Sequence, residues 1–123
     1  MWGLFQPEIR MNVDWLRKYC LSLPHVTEDV KWENNLCFLI AEKIFCFAHL
    51  GGEFSCAIKV NEENFFELTE RDGINQASHF ARNKWISIYE SSSLSKREWE
   101  HYLKQSYELV KAKLPKKILK QLG

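Results

Sequence analysis

The sequence predicts an α+β fold, a two-layer sandwich in which an antiparallel meander sheet packs against helices. Two observations carry that reading. Residues 36–60 are rich in apolar, aromatic and β-branched side chains, and short turn signals divide them into strand-length runs. Around them stand helical patterns with recognisable caps, Asn12 ahead of the first and Ser95 with Glu98 ahead of the last. A length of 123 residues fits one domain, and 46% hydrophobic with 27% charged residues is an ordinary globular composition.

Residues 1–10 read as an extension ahead of a single domain over 11–123, and they are expected to add little stability. Asn12 caps a first helix with Val13, Leu16, Cys20 and Leu23 on one face, and Pro24 ends it. Residues 25–35 are polar and mixed and are expected to form a loop with one short turn. Two strands follow, Leu36 to Ala41 and Ile44 to Leu50, around a tight hairpin at Glu42-Lys43. Gly51-Gly52-Glu53 marks the next turn. The third strand is Phe54 to Val60, with Phe54, Cys56, Ile58 and Val60 on one face.

Asn61 caps a second helix through Phe65, Phe66 and Leu68, which Asp72-Gly73 breaks. Residues 74–83 look irregular. Trp85 to Tyr89 alternates as a half-buried strand, with Trp85 expected in the core, and a serine loop at 91–93 follows. In the last long helix Ser95 and Glu98 form a capping box. Trp99, Tyr102, Leu103, Ser106, Val110 and Leu114 follow at near-helical spacing. Pro115 stops or kinks it, and Lys116 to Leu122 form a further short basic helix.

Charge is polarised although the net charge is only +1. Residues 31–70 hold three Lys/Arg and seven Asp/Glu, whereas residues 91–123 hold eight and three. The four cysteines form no C-x-x-C pair and the four histidines lack ligand spacing, so buried free thiols are expected, and neither a metal nor a cofactor. The start lacks a basic segment followed by an apolar one, and no run is long enough to span a bilayer. A cytoplasmic protein with no membrane partner is expected. G-x-S-x-G, Walker, G-x-G-x-x-G and H-E-x-x-H motifs are all absent, so the chain is expected not to be an enzyme.

Two groups could bind a polyanion. His79, Arg82, Asn83, Lys84 and Trp85 precede the last strand: cations suit phosphate, His and Asn can hydrogen-bond, and Trp can stack on a base. Lys104, Lys111, Lys113, Lys116, Lys117 and Lys120 could form a basic stripe. The plain alternatives are a core Trp85 beside solvated cations, and the wet face of an amphipathic helix.

Five stretches resemble the MmcQ/YjbR-like family. They are Leu23-Pro24-His25-Val26-Thr27-Glu28-Asp29, Trp32 with the Glu42-to-Ala48 hairpin, Ala57-Ile58-Lys59-Val60, Ala77 to Ile86, and Ser106 to Lys116. The resemblance covers roughly residues 11–120. It implies a frataxin-like fold with an antiparallel sheet, and a DNA-binding role resting on a double-wing shape. On the nucleic-acid-binding reading the candidate site residues are His79, Arg82, Asn83, Lys84, Lys59, Lys111, Lys113, Lys116 and Lys117, with Arg82, Lys84 and the C-terminal lysines on phosphate. This chain has Arg82 where the family has Lys, Lys84 where it has a second His, and no basic hairpin tip. DNA is thus one expected partner. The other reading is a protein-interaction or regulatory module, for which the partner is another protein.

Overall fold

Helix formation begins where Asn12 accepts the Trp15 amide, which satisfies one of the free donors of the first turn. A computed structural model of the chain describes residues 12–77 and 84–123, so the expected extension at 1–10 lies outside the described residues. Helix α1 runs Val13–Leu21 and buries Leu16 and Cys20.

Among the described residues six strands follow: β1 (Val26–Lys31), β2 (Asn35–Ile40), β3 (Lys43–His49), β4 (Cys56–Lys59), β5 (Ile74–Gln76) and β6 (Trp85–Ile88). Helix α2 (Glu62–Leu68) separates β4 from β5. Helices α3 (Lys96–Ala112) and α4 (Lys116–Leu122) follow β6. All pairings are antiparallel, in the order β1-β2-β3-β4-β6-β5.

The meander is one strand longer than the sequence indicates, because residues 26–31, expected as loop, form β1. Among the described residues this strand has a partner on one side only, and Glu28, Asp29 and Lys31 are the charged residues that a sheet edge tolerates. The Arg17 guanidinium pins it to α1, donating to both Glu28 oxygens at 2.7 Å. Residues 74–76, expected as irregular, form β5 at the opposite edge. The β2–β3 hairpin turns on Ala41-Glu42, one residue earlier than expected. Both have positive φ (49° and 68°), the geometry that matches a two-residue turn to sheet twist.

Alternation assigns the faces. Leu36, Phe38, Ile40, Cys46, Ala48, Cys56, Ile58, Ile86 and Ile88 join one buried cluster with Leu16, Trp99, Leu103 and Tyr107 from the helices. Phe45 is the extra residue of a bulge where the β2–β3 register shifts, and its ring meets Tyr107 edge-on. Trp85 belongs to the opposite face. Ile86 and Ile88 take the core positions of β6, so the expected core Trp85 is half-buried and packs against Phe47, with ring centroids 5.8 Å apart. Among the described residues the core tryptophan is Trp99.

The capping box of α3 is formed as expected, and Glu98 also anchors α2. Arg71 donates to both Glu98 oxygens (3.1 and 2.9 Å), to Glu67 (3.1 Å) and to the Ser93 carbonyl (3.2 Å). Those Arg71 hydrogen bonds first, and the Ser95 amide second, hold the Glu98 carboxyl below its ordinary range. A depressed carboxylate contributes stability in full above its unfolded pKa of about 4.3 and loses it as pH falls through the lower folded value. Wild-type protein should therefore lose more melting temperature than Glu98→Gln between about pH 6 and pH 3. Near neutral pH the variant should be less stable by about 1 kcal/mol or less, since the pair is a third exposed. Parallel pH profiles would show that the pair contributes nothing.

All four cysteines are free and buried. Cys46 and Cys56 sulfurs lie 3.7 Å apart, and hydrogen bonds with Cys20 and Cys56, together with burial, push the Cys46 thiol far up. Thiols kept protonated and covered react slowly. Four thiols should titrate in denaturant without prior reduction and nearly none in the native protein; rapid native labelling would contradict this placement.

Candidate nucleic-acid interface

An antiparallel meander places the start of β3 beside the end of β4, and the β4–β6 pairing sets Lys59 opposite Trp85. The end of α3 reaches the same end of the sheet. Together they enclose a cleft of about 330 Å³ lined by Lys43, Ile44, Lys59, Trp85, Leu109, Val110, Lys113 and Leu114. Among the described residues three ammonium-bearing side chains share it, and no carboxylate side chain lines it. Burial first, then repulsion from Lys113 and Lys84, pushes the Lys59 ammonium below its ordinary range.

Lys84 stands at the start of β6 with positive φ (64°), and its Nζ lies over the Phe65 and Phe66 rings of α2 at 5.2 and 5.8 Å. Lys111 turns the other way on α3, its Nζ 5.7 Å from the Tyr107 ring, and does not line the cleft. Pro115 restarts the chain as α4, whose Ile118, Leu119 and Leu122 pack on the core while Lys116, Lys117 and Lys120 remain exposed. Residues 109–123 carry five lysines and no Asp or Glu.

The expected site residues thus fall into three groups. Lys59 and Lys113 meet in the cleft, and Lys84 lies close enough to act on Lys59. Lys116 and Lys117 follow directly in the chain, while Lys111 is separate. His79, Arg82 and Asn83 lie outside the described residues. The sequence reading missed Lys43, which it treated as part of a turn. The signal was present, because a meander brings the first residue of β3 to the last of β4. On the face of Trp85 runs an aromatic row: Trp32 meets Phe47 edge-on at 5.4 Å, and Phe47 meets Trp85. Among the described residues no group of His, Cys, Asp or Glu could hold a metal, and no helix is long and apolar enough to cross a membrane.

A helix-backed antiparallel sheet with a basic cleft at one end defines a small α+β domain. The YjbR family model matches residues 21–109, more than half the chain, and the chain belongs to the YjbR family. Among solved structures it is similar to protein DR2400 of Deinococcus radiodurans, a DUF419 domain. The TM-score is 0.82 at 24% identity, over 91% of this chain and 88% of that one. It is also similar to a structural-genomics target from Pseudomonas syringae, with TM-score 0.67 at 20% identity, over 80% of this chain and 98% of that one. At these identities the likeness concerns the fold. No curated protein sequence matches.

Proposed function

We propose that this YjbR domain is a non-enzymatic nucleic-acid-binding module that grips backbone phosphate at the basic end of its sheet. The supporting observation is the convergence of Lys43, Lys59 and Lys113 on one cleft beside Trp85. Lys113 and Lys84 repel the Lys59 ammonium, and a bound phosphate relieves that repulsion. Lys84, Lys116 and Lys117 extend the positive surface toward a longer polyanion. Contacts of this kind position a strand without reading its sequence.

Binding through about four phosphates should make log affinity fall against log salt with a slope of roughly −3.6 on duplex DNA. Lys59→Gln with Lys113→Gln should flatten the slope by about two phosphate contacts' worth, roughly 1.8. Titration of duplex and single-stranded DNA at low salt is the measurement. Absence of binding to both, or a slope unmoved by the double substitution, would overturn the reading.

A further inference from the structure

The cleft has a second property that duplex phosphate contact does not use. Trp85 forms part of its wall, and Ile44, Leu109, Val110 and Leu114 supply aliphatic surface beside the three lysines. A site built only for a phosphate needs donors and not an indole with four aliphatic neighbours. Its volume of about 330 Å³ stands at the lower end of small-ligand pockets. That space is of the scale of one planar ring with its sugar and phosphate.

We propose that this cleft captures one unstacked nucleotide, its phosphate held among Lys43, Lys59 and Lys113 and its base against Trp85. The choice of a nucleotide over another phosphorylated ring rests on the nucleic-acid reading. A base within a duplex is already stacked on both faces, so the occupant is a nucleotide of a single strand or a free one. Trp85 is pre-set for this role because Phe47 packs against it and the β4–β6 pairing fixes its backbone. Burial first, and then Lys113 and Lys84, depress the Lys59 ammonium, and a bound anion counters the part that these cations contribute.

The test titrates the full chain, followed by NMR, with a 5′-mononucleotide, the matching nucleoside, inorganic phosphate and a short single-stranded oligonucleotide. The mononucleotide should shift the Trp85 indole and the Lys59 and Lys113 amides. It should bind about tenfold or more tightly than either the nucleoside or phosphate alone. Trp85→Leu should weaken the mononucleotide by a similar factor and leave inorganic phosphate unchanged. If that variant fails to fold, the wild-type indole shift and the ligand ranking decide on their own. A mononucleotide that binds no better than inorganic phosphate, or leaves the Trp85 indole unmoved, overturns the proposal. Oligonucleotide binding that is salt-dependent but indifferent to Trp85→Leu overturns the pocket while sparing the phosphate reading. Mononucleotide binding without oligonucleotide binding supports the pocket, with a free nucleotide as occupant, and sinks the nucleic-acid reading.

Discussion

Trp99→Ala should be the most damaging single truncation among the tryptophans of the described residues, costing about 3–5 kcal/mol. The side chain is fully buried at the start of α3, and its indole N–H donates to the Ser91 carbonyl at 2.8 Å. Its ring meets Phe54 edge-on at 5.9 Å, so it ties the loop before β4 to the helix layer. Alanine removes a large ring and also leaves the Ser91 carbonyl without that donor. A small domain holds only about 5–15 kcal/mol in total, so the variant should be largely unfolded at moderate denaturant or temperature. Trp85→Ala should cost clearly less, because that ring is half-buried on the other face of the sheet. Denaturant melts of both variants provide the comparison. A Trp85→Ala penalty equal to or above that of Trp99→Ala would reverse the assignment of faces.

That reversal touches what could be read in the sequence. The alternation Trp85-Ile86-Ser87-Ile88-Tyr89 announces a strand, but parity alone does not say which set faces the helices. Pairing with β4 decides it, because Ile86 lies opposite Ile58 and Ile88 opposite Cys56, both in the core. The caps were legible because their chemistry is local: Asn12, Asn61 and Ser95 each bond an amide three residues ahead. Strands β2, β3 and β4 were legible because apolar side chains dominate them. The edge strands were not. Val26 to Lys31 carries mostly polar residues and β5 has only three residues, so each is defined by the neighbour it pairs with. The same holds for the candidate site. Lys113 was visible as part of a basic run and Lys59 through the resemblance. The joining of Lys43 and Trp85 with them in one cleft is a product of strand pairing.

Ser106→Ala should cost about 1–3 kcal/mol although it removes a single oxygen. Ser106 is fully buried on α3, and its hydroxyl accepts the Lys59 amide at 2.9 Å while donating to the Phe45 carbonyl. Phe45 is the bulged residue of β3 and Lys59 ends β4, so one hydroxyl satisfies backbone groups at two places where the ladder gives out. Alanine leaves a part-buried N–H and a buried C=O without that partner, and nothing in the new side chain can bond either. Loss of that hold should also loosen the wall from which the Lys59 side chain enters the cleft. Hydrogen exchange at the Lys59 amide should accelerate in proportion to the lost stability, about tenfold for each 1.4 kcal/mol. Affinity for inorganic phosphate should fall as well, even though Ser106 does not line the cleft. Ser106→Thr keeps the hydroxyl and should restore both the Lys59 protection and the anion affinity better than alanine. A Ser106→Ala protein that melts within about 0.5 kcal/mol of wild type, with Lys59 exchange unchanged, would mean that these backbone groups find other partners.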